Sequence, residues 1–188
     1  MNRGAIVTKS QDFYQHIEQL SEDENTRMRI KHRHQTTIKK FKNKRYFKPY
    51  DNILKLLRKL KRHYYINEIP THDKSWRLLI LDNYFTPIGR LTILPSEYFN
   101  NNLFDNYYYT LNIDLNDMLS FETQDTFVQT VTTVATKYKV SLHAWVGKSS
   151  ITQDLYQKYG FEYTGYKTNA GQIKLYTNHS TIKGGFYK

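Results

Sequence analysis

The chain has 188 residues, of which 39% are hydrophobic and 15% aromatic, enough for one packed unit or for a domain of about 110 residues with a helical extension, and too apolar for a disordered polymer. It has no cysteine, which removes disulfides, cysteine nucleophiles and thiolate zinc sites and suits the reducing cytoplasm. No apolar run approaches the roughly 18 residues that read as a membrane span, and MNRGAIVTKSQDF lacks the apolar stretch of a secretion signal, so a soluble cytoplasmic protein with no membrane partner is expected.

In chain order, Ala5-Ile6-Val7 within 4–8 reads as a short strand, and Phe13, Ile17 and Leu20 at helical spacing read as a helix. Residues 21–50 pass from acidic to strongly basic with little apolar periodicity and are either a long loop or a marginal basic helix. From Asp51, placed as an N-cap, Ile53, Leu56, Leu57, Leu60 and Tyr64 share one helical face, with Lys55, Arg58, Lys59 and Arg62 elsewhere on the helix. After Pro70, strands are predicted over 75–82, 88–94 and 107–115, with Tyr108 on one face of the last and Tyr107 and Tyr109 on the other. An amphipathic helix follows over 123–139, then a strand over 140–146, a short helix over 151–159, and a hairpin of 161–166 with 172–177 around Asn169-Ala170-Gly171. The fold class is α+β.

Charge is unevenly placed. Residues 1–75 hold 18 Lys and Arg against 8 Asp and Glu, whereas residues 76–188 hold 10 against 9. This divides the chain into a basic, mainly helical N-terminal part over 1–75, read either as its own part or as the first elements of the same domain, and an α/β core over 76–188. Between Arg27 and Arg62 there are 15 basic residues and one acid, Asp51. Lys39, Lys40, Lys42, Lys44, Arg45, Lys48, Lys55, Arg58, Lys59 and Arg62 are the candidate binding residues. His, Tyr and Phe interleave with them, a mixture that pairs phosphates and stacks bases. Three readings stand side by side: a nucleic-acid surface, a surface that steers toward an acidic protein, and a solvated arm that keeps the chain soluble. His32 and His34 lie among cations with no carboxylate nearby, so no metal site is expected and both are read as solvent-exposed. His143, alone in a predicted strand, is read as packed rather than catalytic.

The segment Leu155-Tyr156-Gln157-Lys158-Tyr159-Gly160-Phe161-Glu162, followed by Thr164-Gly165, resembles the Leu-Tyr-Glu-Lys-Leu-Gly-Phe motif and trailing Gly of the GNAT acyltransferase superfamily. The predicted order of strand, two helices, three strands, helix, strand, helix and two strands is similar to that family as well. The resemblance covers residues 76–177 and implies a central, mixed, mostly antiparallel twisted sheet flanked by helices. Physically, Gly160 closes the helix in a left-handed conformation and Phe161 enters the core. Tyr156 matches the family position whose phenol protonates the departing coenzyme A thiolate, and it is the one catalytic residue the resemblance implies if the chain is active. In the family, a loop of pattern Arg/Gln-x-x-Gly-x-Gly/Ala between the fourth strand and the next helix holds the pyrophosphate of acetyl-coenzyme A on close-approaching backbone amides. Here residues 114–125 contain no Gly, Lys or Arg, and no glycine occurs between Gly89 and Gly147. Asp114, Asp117, Glu122 and Asp125 stand there instead, and Ser149 replaces the family's frequent Asn. No cofactor is therefore expected, acetyl-coenzyme A entering only if the chain is an active N-acetyltransferase with an atypical loop. The expected function is a non-catalytic GNAT-fold regulator that binds transcription machinery or nucleic acid. Heavy use of Lys, Asn, Ile and Tyr points to an AT-rich genome of the kind found in low-GC bacteria and their phages.

Overall fold

The leucine-rich face of residues 53–60 sets the position of the whole sheet. In the computed structural model, which describes residues 23–40, 51–72, 75–95, 109–147, 151–168 and 171–177, that face belongs to α2 (Asp51–Leu60), preceded by α1 (Glu24–Lys40). Four strands follow, β1 (Tyr65–Ile69), β2 (Trp76–Leu81), β3 (Pro87–Pro95) and β4 (Tyr109–Leu115). Then come α3 (Phe121–Tyr138), β5 (Leu142–Val146), α4 (Ile151–Lys158), β6 (Glu162–Lys167) and β7 (Ile173–Tyr176).

The strands form one sheet of order β1-β2-β3-β4-β5-β7-β6. All neighbours are antiparallel except β4 and β5, which are parallel. One sheet face carries Ile66, Leu78, Ile80, Leu91, Ile93, Leu111, Ile113, Leu142, Ala144 and Val146, and packs on Leu54, Leu56, Leu57 and Leu60 of α2 and Phe127, Val128 and Val131 of α3 in one core. The α2 side chains of that set are at most 1% exposed, and burying each contributes about 2 kcal/mol of transfer energy. Residues 51–69 thus share core and sheet with the residues that follow. On the opposite face a smaller cluster joins Ile30 of α1 to Leu79, Leu81 and Phe85.

Several expectations are corrected. Of the two readings of residues 21–50, the helical one holds for 24–40; residues 41–50 lie outside the described residues, as do the strand and helix read in residues 1–22. The helix of residues 51–64 stops at Leu60, and Tyr64 reaches the core from the following turn, its ring edge-on to Phe127 at 5.4 Å. A strand, β1, occupies residues 65–69, where none was expected, so four strands rather than three lie between α2 and α3. Tyr107 and Tyr108 lie outside the described residues.

Local signals explain most ends. Ser120 caps α3 by accepting from the N–H of Thr123, and Lys139 closes it in a left-handed turn (φ 55°). Gly160 has φ 82°, and the N–H of Phe161 returns to the carbonyl of Tyr156 at 3.2 Å, which sends Phe161 inward to 2% exposure. The β6–β7 pairing shifts register between Tyr163 and Lys167, a stretch that contains Gly165 at φ 81°, as a bulge requires.

Gly89 marks a close approach of backbone and side chains in the core. A β-carbon there would lie 2.5 Å from the Asp114 carbonyl oxygen and 3.0 Å from the Phe127 ring, so β3, β4 and α3 would all have to move. Gly89→Ala is expected to lower stability by about 2–3 kcal/mol in urea unfolding, with unchanged spectra if the fold survives.

Candidate functional site

Parallel β4 and β5 pair only at Leu111 with Leu142 and Asn112 with His143. Beyond these two residues the strands separate, and Tyr156 of α4 stands at the gap. Its hydroxyl donates to the carbonyl of Ile113 at 3.5 Å, its ring lies 4.8 Å from that of Phe161, and it is 1% exposed. The phenol that the resemblance would make a general acid is therefore a core side chain facing backbone, sealed from solvent. His143 sits half-buried on β5 beside Asn112.

The β4–α3 turn is closed upon itself. Asn116, fully buried, takes the N–H of Met118 on its side-chain oxygen at 3.1 Å and gives its amide to the Pro87 carbonyl at 2.8 Å. Its backbone N–H bonds the Ile88 carbonyl, the N–H of Leu119 bonds the Asn116 carbonyl, and the N–H of Gln124 bonds the Ser120 carbonyl. The Thr123 N–H goes to the Ser120 hydroxyl oxygen at 3.3 Å. The Gln124 side chain donates to the Leu119 carbonyl at 2.9 Å. The amides of Met118, Leu119, Thr123 and Gln124 are thus committed to acceptors of the chain itself.

The four acids expected to repel an anion behave differently from one another. Asp114 accepts from Arg90 across β3 and β4 at 2.5 Å. Asp125 accepts from Lys158 at 2.8 Å and from the Tyr159 hydroxyl at 2.9 Å; the hydrogen bond from Lys158 holds its carboxyl below the usual range. Two of the four are therefore answered by cations, because the register of β3 on β4 and the approach of α3 to α4 supply partners that the sequence does not display. Glu122 is exposed on the first turn of α3. Asp117 is exposed as a residue, yet its carboxyl is partly desolvated where it bonds Thr152 of α4; burial and then the neighbouring Asp114 charge push it above its ordinary value. Asp117–Thr152 and Asp125–Lys158 together stitch α4 to the start of α3 across the mouth of the gap.

The second candidate surface is the β1 end of the sheet. Lys39 and Lys40 are exposed on α1, Lys40 paired with Glu68 of β1. Lys55 is exposed and Arg58 and Lys59 half-buried on α2, and Arg62 is exposed in the turn that follows. Lys42, Lys44, Arg45, Lys48 and Ser149 lie outside the described residues. Lys61, in the turn after α2, acts on His34 of α1 through its charge. Against expectation His34 is half-buried: its Nδ1 accepts the N–H of Ile66 at 2.8 Å, and its ring meets Tyr65 edge-on at 5.3 Å. His32 is exposed, as expected. Among the described residues no group of three His, Asp or Glu side chains is arranged to hold a metal ion, and no helix is long and apolar enough to cross a membrane.

Sequence reasoning missed β1, the Asn116 turn and the Arg90–Asp114 pair. Tyr65, Ile66 and Ile69 ahead of Pro70 are a strand signal, masked by the helical spacing of Tyr64.

The strand order, with its single parallel, splayed pair, defines a GNAT-like α+β fold. No family model matches the chain, and no curated protein matches it. Among solved structures, a protein assigned as an acyl-CoA N-acyltransferase from Klebsiella pneumoniae aligns at 11% identity and TM-score 0.38, over 61% of this chain and 97% of its own. A spermidine/spermine N-acetyltransferase from Vibrio cholerae aligns at 15% identity and TM-score 0.36, over 57% and 68%. A nourseothricin acetyltransferase aligns at 15% identity and TM-score 0.35, over 57% and 66%. The β4–α3 turn has no glycine, four of its amides bond the chain itself, and Tyr156 is buried against the Ile113 carbonyl.

Two outcomes follow from this packing. Tyr156→Phe is expected to change unfolding free energy by less than about 1 kcal/mol, since a 3.5 Å hydrogen bond is weak, while Tyr156→Ala, which opens a cavity, costs about 3–5 kcal/mol. The folded state holds Asp117 above its ordinary value, so the stability linked to this group is full below the unfolded carboxylate pKa and falls as pH rises through the folded one. Asp117→Asn should therefore raise Tm at pH 7, modestly because the residue is exposed, with the gain vanishing as pH drops through the carboxylate range.

Proposed function

We propose that the chain is a GNAT-fold binding protein without acyl-transfer activity, a regulator that docks on an acidic surface of the transcription machinery or on nucleic acid through the basic β1 end of its sheet. The observation that carries the first half is the commitment of the Met118, Leu119, Thr123 and Gln124 amides inside the β4–α3 turn. A cofactor phosphate would find no glycine there to admit it closely to the backbone and would meet Asp117 and Glu122 on arrival. What supports the second half is the charge of residues 1–75, 18 basic against 8 acidic side chains, with Lys39 exposed on α1, Lys55 on α2 and Arg62 in the turn after it. A field of that sign speeds encounter with polyanions and weakens as salt rises. The composition accords with a phage-encoded regulator.

A second reading, an active N-acetyltransferase with an atypical loop, is favoured by Tyr156 standing beside the strand gap at the position that matches the family's acid. Calorimetric titration with acetyl-coenzyme A separates the two. No binding heat is expected; micromolar binding would sink the first reading. Capture from bacterial lysate with and without nuclease then distinguishes protein from nucleic acid. Replacing Lys55, Arg58, Lys59 and Arg62 by Gln is expected to weaken that capture severalfold and flatten its salt dependence; capture unaltered in both respects would exclude the basic surface.

A further inference from the structure

The outer edge of the sheet is closed by a helix that has little apolar hold on it. β1 is the terminal strand, and the N–H groups of Ile66 and Glu68 point away from β2. Both are taken by side chains of α1: His34 Nδ1 accepts from Ile66 at 2.8 Å and the Thr37 hydroxyl accepts from Glu68 at 3.0 Å. One turn further on, Lys40 pairs with the Glu68 carboxylate. Of the 17 residues of α1, only Ile30 and Thr37 are buried. Ile38 is half-buried against the main core, so the helix is held by few apolar side chains together with its polar contacts to β1.

One of those contacts depends on protonation. Only an unprotonated ring nitrogen can accept the Ile66 N–H; a protonated Nδ1 would set two donors against each other. We propose that α1 is a pH-sensitive cover of the β1 edge, with His34 as its latch. Protonation of His34 releases the centre of the helix, bares the Ile66 and Glu68 amides, and uncovers the cluster of Leu79, Leu81 and Phe85 beneath Ile30. The charged and titratable groups about the ring are Lys61 from the α2–β1 turn, Tyr65 from β1, Lys31 one turn back on α1 and the Lys40–Glu68 pair ahead. Burial, and then Lys61, keep His34 below its ordinary value of 6.5. With the folded pKa depressed, the stability the latch contributes is full above the unfolded histidine pKa and is lost as pH falls through the folded one.

Amide hydrogen exchange in the full chain tests this at pH 7.5 and pH 5.0, after correction for intrinsic exchange. Protection at Ile66 is expected to fall about tenfold or more at the lower pH, with Glu68 following. His34→Asn, whose side-chain oxygen replaces Nδ1 and does not titrate, should hold Ile66 protected at both values. Thr37→Val should lower Glu68 protection by the same factor at both. Unchanged Ile66 protection in the parent chain, or an equal loss in His34→Asn, would overturn the proposal. Should the variants fail to fold, the nitrogen chemical shifts of His34 in the unaltered chain decide: a ring titration whose midpoint coincides with the exchange transition supports the latch, and a midpoint more than about one pH unit away refutes it.

Discussion

Two residues of parallel pairing between β4 and β5 govern the architecture of this protein. Parallel strands that separate after so short a contact leave backbone groups and volume to be satisfied by something else. Here the chain supplies it from α4, whose Tyr156 brings a ring to the volume and a hydroxyl to the Ile113 carbonyl. That insertion decides where α4 lies, and hence where Gly160 must turn the chain so that Phe161 packs on the Tyr156 ring and β6 begins. The gap is thus internal structure as much as a cleft.

The neighbouring turn follows the same logic. A glycine-rich loop leaves its amides pointing outward for a ligand; the turn built on Asn116 and Ser120 turns those of Met118, Leu119 and Thr123 inward. Asn116 is at once the acceptor for Met118 and the donor to Pro87, so it fastens the start of α3 to β3. Gly89, the one glycine on this side of the core, serves close packing of β3 against Asp114 and Phe127 rather than a phosphate. The β4–α3 turn, at the middle strand of the sheet, is bound by its own hydrogen bonds, while the exposed Lys39 and Lys40 lie on α1 beside the terminal strand β1.

Much of this was legible in the sequence because it is local. Leu54 to Leu60, Phe127 to Ala135 and the Gly160-Phe161 pair announce burial and turn by spacing alone, and the absent glycines of residues 114–125 are a direct reading. What was hidden depends on partners distant in sequence. Asp114 reads as a free acid until the β3–β4 register brings Arg90 opposite it; His34 reads as one more solvated residue until β1 lies beneath it. β1 itself was concealed by competition between two periodicities, since Tyr64 completes a helical face and also opens a run of strand formers. The Arg, Lys and His residues of α1 describe a charge and say nothing of which sheet edge the helix will lie against.

The sheet has two ends, and they are guarded by different means. At β1 the guard is a separate helix. At β6 the strand protects itself: the register shift between Tyr163 and Lys167, with Gly165 in a left-handed conformation, bends the outermost ladder so that a straight foreign strand finds no continuous row of matching groups. A bulge is part of the strand and cannot dissociate, whereas a helix can. The two margins therefore differ in permanence, and any self-templated stacking of this protein into fibres would begin from the β1 side, with the β6 side acting as the terminator of growth.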